Sequence, residues 1–195
     1  MPLLRREIDA FPQDLFRLPD EAWPWVVASV RSRQEKVLAR QLAAHHVPYY
    51  LPVGERRSTI SGRRRVSYLP LFPGYVFFRG REEARRVAFA SRVIVRLLPI
   101  ADPDRLHAEL FQLKRLQDAG AMMTPFVALS VGEAVRIVEG PFRGYSGVIV
   151  RETSCLRLLV SVSMLQRAVA VELPREAIAR AGVPSREGGA RTAVA

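Results

Sequence analysis

Apolar positions recur with two different periods along this chain, and the change of period divides it. Trp25-Val26-Val27-Ala28-Ser29-Val30 is rich in aromatic and β-branched residues and predicts a strand. Gln34 to Ala44 carries Val37, Leu38 and Leu42 among charged residues, the spacing of one helical face. Pro48 stops that helix, and Tyr49 to Val53 starts a second strand. Arg56–Ile60 and Arg64–Tyr68, joined through Ser61-Gly62, predict a basic hairpin with a glycine-containing turn. Leu71-Phe72-Pro73-Gly74 then forms a turn that feeds a buried strand, Tyr75 to Phe78. Along it Tyr75 and Phe77 share one face, Val76 and Phe78 the other.

Glu82 to Ala90 predicts a short helix, and Val93 to Leu98 another strand. Asp102-Pro103 supplies an N-cap followed by proline at the first helical position. The helix it opens runs to about Gln117, with Leu106, Leu110 and Leu113 on one face, and Gly120 ends it. This order describes an α+β domain over residues 23–118, built on a small, mainly antiparallel sheet with flanking helices.

Residues 119–128 lack amphipathic pattern and are expected to be a linker. From Val131 the texture changes to short, closely spaced strands: Ala134–Val138, Gly147–Val150, Arg157–Ser163 and Arg167–Leu173. Such strands predict a small β-barrel over residues 129–181. Residues 1–22, punctuated by Pro2, Pro12 and Pro19, are expected to be an extension, partly disordered or draped on the surface. Residues 182–195 are expected to form a disordered tail.

Charge adds a partner to this outline. The 195 residues hold 30 Lys+Arg against 19 Asp+Glu, a formal +11, and such a field attracts polyanions. The excess is uneven: Glu55 to Arg96 holds 11 arginines and 3 acids, Val131 to Arg180 only 7 basic and 5 acidic residues. The lone Cys155 can form no internal disulfide. The N-terminus lacks the apolar run of a signal peptide, and no stretch is long enough to span a bilayer. A cytoplasmic monomer without membrane contact is expected.

No catalytic constellation accompanies these elements. His45, His46 and His107 lack metal-ligand spacing, Cys155 has no evident catalytic partner, and no glycine-rich phosphate loop is present. The reading is of a protein that is not an enzyme and carries no cofactor or metal.

Two motifs in order give the chain a family likeness. Leu71-Phe72-Pro73-Gly74-Tyr75-Val76 resembles the centre of the NusG N-terminal domain. Val131-Gly132-Glu133 through Gly140-Pro141-Phe142-Arg143-Gly144-Tyr145-Ser146-Gly147-Val148 resembles the KOW motif that opens an SH3-like C-terminal barrel. Trp25-Val26-Val27, Gln34-Glu35-Lys36 and Val160-Ser161-Val162-Ser163 extend the likeness over roughly Trp23 to Arg180. The resemblance implies a transcription elongation factor that modulates pausing, termination and antitermination. It implies docking on the clamp helices of RNA polymerase through Phe72, Pro73, Gly74, Tyr75 and Phe77. Arg56, Arg57, Arg63, Arg64, Arg65, Arg85 and Arg86 are placed to contact upstream duplex or non-template DNA; a solvated basic hairpin is the other reading.

In the family the barrel recruits Rho or the ribosome. The corresponding positions here are the turn residues Gly140, Phe142, Gly144 and Gly147 and the partner loop Met164, Leu165 and Arg167. That loop departs from the housekeeping pattern: Met164-Leu165-Gln166-Arg167 stands where isoleucine-phenylalanine-glycine-arginine is usual. Losing the aromatic anchor weakens the case for Rho. The chain therefore resembles a specialised, RfaH-like paralogue, with a divergent housekeeping NusG as the alternative. A KOW-containing ribosome- or RNA-binding protein is the reading from another class.

Overall fold

A computed structural model describes residues 8–60, 63–126, 133–136, 143–152, 155–165 and 167–173. In chain order the first part comprises β1 (Ala10–Phe11), β2 (Trp25–Val30), α1 (Glu35–Ala44), β3 (Tyr49–Tyr50), β4 (Val53–Ile60) and β5 (Arg63–Pro70). There follow β6 (Tyr75–Arg79), α2 (Glu82–Ala90), β7 (Ile94–Leu98) and α3 (Pro103–Asp118). β8 (Met123–Phe126), β9 (Glu133–Arg136), β10 (Ser146–Glu152), β11 (Cys155–Val162) and β12 (Arg167–Leu173) complete the chain.

The first sheet has the order β1-β3-β6-β2-β7, with every neighbouring pair antiparallel. Strand alternation sorts its side chains into two layers. Val26, Ala28 and Val30 of β2 join Val76 and Phe78 of β6 in a cluster with Leu38 and Leu42 of α1 and Ala84 and Ala88 of α2. On the opposite face Trp25, Val27, Tyr50 and Phe77 share a cluster with Leu106, Leu110, Leu113 and Leu116 of α3. Those four leucines recur every three or four residues, and burying each contributes about 1.5–3 kcal/mol. The Asp102 carboxylate accepts from the Arg105 N–H at 2.9 Å, capping α3 directly before Pro103.

The second sheet is antiparallel with the order β8-β12-β11-β10-β9. Its Val160, Val162, Val169 and Val171 belong to the same cluster as α3 and Phe77, so α3 lies in a core shared by both sheets. β4 and β5 pair as a separate two-stranded hairpin from Val53↔Pro70 to Ile60↔Arg63.

Two expectations need correction, and a third is narrowed. The strand expected over Tyr49–Val53 ends at Tyr50, ahead of Pro52, which has no N–H for a ladder, and β4 starts afresh at Val53. Of the two states expected of the extension, its described residues take the draped one: β1 pairs with β3, and Leu15 is fully buried. Within the expected linker, Met123–Phe126 is strand β8, paired with β12. Its approach to the hairpin base explains Gly54, where any Cβ would collide with the Met123 carbonyl oxygen and the Leu71 side chain. The tail over 182–195 lies outside the described residues. Among the described residues no helix is long and apolar enough to cross a membrane.

Candidate functional site

The turn from Leu71 to Gly74 places its aromatic residues by backbone bonds. Tyr75 N–H donates to the Phe72 carbonyl at 3.1 Å, closing the turn. Gly74 has φ +86°, a conformation that other residues adopt only with strain. Its carbonyl accepts from Val30 N–H at 2.9 Å, and its own N–H donates to Glu35 Oε1 at 2.7 Å. The turn is thereby fastened to the end of β2 and the start of α1.

The residues expected to dock do not share one exposure. Pro73 is exposed and Tyr75 half-buried, whereas Phe72 and Phe77 are fully buried and meet edge-to-face at 6.0 Å. Val76 and Phe78 lie in the opposite core, beside α1 and α2. Phe72 and Phe77 belong to the buried cluster that also holds the leucines of α3 and the valines of the second sheet.

The partner-loop residues meet this same face. Leu165 is buried and Met164 packs against the shared cluster. The Arg167 guanidinium lies 5.2 Å from the Tyr75 ring centroid. Residues assigned to two different partners are therefore brought together within one chain. Of the turn residues, Gly144 has φ +89° and Gly147 lies on β10, while Gly140 and Phe142 fall outside the described residues.

Polar contacts from α3 reinforce the closure. Glu109 accepts from the Ser163 N–H at 2.9 Å and from its hydroxyl at 2.5 Å. Arg105 donates to the Ser163 hydroxyl at 2.6 Å and pairs with Glu109 at 3.1 Å. Further along α3, Arg115 lies 5.0 Å from the centroid of the Tyr145 ring. Burial raises the Tyr145 pKa, against the opposing pull of Arg115.

The arginines divide into two surfaces. Arg56 is exposed on the hairpin, while Arg57 and Arg63–Arg65 are placed by strand register alone. Arg85 and Arg86 are exposed on α2, where Arg86 reaches Glu82 and Glu83 at 3.9 and 4.0 Å. Such exposed pairs contribute little to stability. A second basic group escaped the sequence reading: Arg31, Arg33, Arg92 and Arg96 are all exposed. Arg31 N–H donates to the Val93 carbonyl at 3.0 Å and its guanidinium to the Arg92 carbonyl, joining the loops after β2 and α2. The exposed Phe89 precedes that second loop by half a turn. A signal was present, since both loops are Arg-rich and free of exposed acids, but their adjacency is tertiary.

Arg79, one of the 11 arginines between Glu55 and Arg96, is completely buried. It donates to the Trp23 carbonyl at 2.6 Å and the Leu15 carbonyl at 2.9 Å, pairs with Asp20, and lies 5.0 Å from the Trp25 ring centroid. Burial lowers its pKa, opposed by Asp20. Phe16 packs beside Trp25, Tyr50, His107 and Phe111, so residues 9–24 form a strap over the sheet and α3.

Comparison with known proteins places this arrangement in a family. Residues 24–101 match the family model described as "Transcription termination factor nusG". The transcription termination/antitermination protein NusG of Vibrio vulnificus is 31% identical over 173 residues, covering 80% of this chain and 93% of its own length. Its counterpart in Yersinia pestis is 33% identical over 134 residues, covering 63% and 72% respectively. The structure titled "Domain interaction in Thermotoga maritima NusG" covers 80% of this chain and 95% of its own, at 20% identity and TM-score 0.46, too loose a likeness to carry weight alone. The sequence identity over nearly the whole length of a curated relative suffices: this chain belongs to the NusG family of transcription termination and antitermination proteins.

Proposed function

We propose that this chain is an elongation factor that docks on RNA polymerase through the face of β6 bearing Tyr75 and Phe77. The observation that carries the reading is the form of the seal over that face. The half-buried Tyr75 ring meets Arg167 of the second sheet, Phe72 and Phe77 lie in the same buried cluster, and Glu109–Ser163 hydrogen bonds tie α3 to the segment between β11 and β12. An apolar face closed by separable polar contacts is a surface with two alternative occupants. Docking requires the open form, so its apparent affinity scales with the open fraction. Bound polymerase favours states that complement the factor, which shifts pausing without chemistry.

The exposed arginines on the hairpin and α2, joined by Arg31, Arg33, Arg92 and Arg96, are suited to phosphates of upstream or non-template DNA. Met164-Leu165 in place of an aromatic anchor favours a specialised antiterminator over a factor acting with Rho. A barrel that reads ribosomal RNA would concentrate charge in the second domain, and the charge lies in the first.

The test is an elongation complex carrying a strong pause, assayed with parent and Tyr75→Ala, each checked for folding by circular dichroism. Parent binding with shortened pauses, both lost in the folded variant, is the expected result. Equal binding by the two removes the docking assignment. Added Rho then separates the branches: enhanced termination would indicate a housekeeping factor, and suppressed termination the specialised one.

A further inference from the structure

Two charged side chains are buried among the described residues. Arg79 is explained by the strap it holds. Glu35 remains: it opens α1, is only 5% exposed, and its carboxylate reaches 39 residues along the chain to the Gly74 N–H.

We propose that Glu35 is the positioning residue for Tyr75, setting the turn that presents this ring to the polymerase; the proposal rests on the docking reading above. Gly74 separates Phe72 and Pro73 from Tyr75, and glycine at φ +86° has wide conformational freedom of its own. Both polar groups of that residue are taken by a single neighbouring segment: its carbonyl by Val30 N–H, its N–H by Glu35. The second bond has an ionised acceptor, which makes it shorter and stronger than a neutral one. The start of a helix also favours a carboxylate, so Glu35 is held in place whichever occupant covers Tyr75. Without it, the backbone on the N-terminal side of Tyr75 loses one of its two anchors, and the ring must be ordered at the expense of binding.

The same bond links two surfaces. Arg31 and Arg33 lie in the loop between Val30 and Glu35, and Arg31 N–H is fastened to Val93. Tyr75 and this basic loop therefore keep a fixed relation, so a partner offering both an apolar surface and phosphates meets them as one unit.

A double-mutant cycle tests the proposal in the full chain, with all variants carrying Glu109→Ala so that strength of closure does not confuse the reading. Affinity for an RNA polymerase elongation complex is measured for Glu35→Ala, Glu35→Gln, Tyr75→Ala and Glu35→Ala/Tyr75→Ala, with thermal unfolding as the folding control. Glu35→Ala should weaken binding about tenfold, the scale set by ordering one side chain. Glu35→Gln keeps a carbonyl acceptor for Gly74 and should stay within about threefold of the parent. With Tyr75 already absent, Glu35→Ala should change affinity by less than about twofold. Equal losses in both backgrounds, a silent Glu35→Ala, or a glutamine as damaging as alanine would each overturn the positioning role while leaving docking intact. A silent Tyr75→Ala removes the docking reading and the proposal together.

Discussion

Arg167 and Tyr75 form a cation–π contact across the two domains, with the guanidinium 5.2 Å from the ring centroid. Each belongs to a surface that the sequence suggests for an external partner, so in this conformation the chain satisfies both internally. Such a contact is worth about 0.5–2 kcal/mol. Arg167→Ala should therefore raise the open fraction and tighten polymerase binding by roughly two- to thirtyfold. Titration of an elongation complex with labelled full-length protein checks this; unchanged or weaker affinity would show that the contact does not gate docking.

Glu109 is the stronger half of the closure. It accepts two hydrogen bonds from Ser163, and bonds to a charged group contribute about 1.5–3 kcal/mol each. Glu109→Ala should separate the domains, seen as a larger radius of gyration in small-angle scattering and faster proteolysis near residues 119–122. A scattering profile identical to the parent's would mean that the shared apolar cluster closes the molecule without help.

Arg79 makes a prediction about the N-terminal strap. Arg79→Met leaves the Leu15 and Trp23 carbonyls without this donor and Asp20 without its guanidinium, a loss of about 3 kcal/mol. Arg79→Lys should recover only part of this, because an ammonium cannot reproduce the planar fork. Chemical denaturation gives the stability, and limited proteolysis should cut within residues 12–24 first. If both variants unfold like the parent, the strap is not held by this residue.

Tyr50 sets an alkaline limit. Its hydroxyl donates to Gln117 Oε1 at 2.6 Å, and burial, with smaller contributions from Asp9 and Asp118, holds its pKa well above the ordinary value. The folded state thus binds this proton more tightly than the unfolded chain does. The resulting stability is fully present below about pH 10 and is lost as pH rises above it, by up to about 1.4 kcal/mol per pH unit. Tyr50→Phe should lose about 1 kcal/mol at neutral pH and flatten the alkaline decline. Urea unfolding between pH 8 and 11 measures both; an equally steep decline in the variant would assign it elsewhere, Tyr145 first.

Local chemistry made α3 readable. Asp102, Pro103 and the leucine spacing fixed its start and its buried face before any tertiary contact was known. Alternation in β6 separated Val76 and Phe78 from Tyr75 and Phe77 in the same way. It could not tell what covers the second face, because residue periodicity records that a side chain is buried and not what buries it. Arg79 was illegible for a different reason. Among 28 arginines nothing local distinguishes the one whose partners are backbone carbonyls 56 and 64 residues away. Glu35 stands in the family-like Gln34-Glu35-Lys36, but its role depends on the N–H of Gly74 in the distant turn before β6. The second basic group likewise arises where two loops meet.

The placement of α3 in a core shared by both sheets has a consequence for the chain as it is made. The first sheet, the strap and α3 are complete once residue 118 has been synthesised, but the strands whose valines share the α3 core run to Leu173. At about 5–20 residues per second, roughly three to eleven seconds of translation separate the two. Throughout that interval the nascent protein carries the Tyr75 ring and the apolar side of α3 without the sheet that meets them, and the first occupant to arrive need not be its own C-terminal sheet.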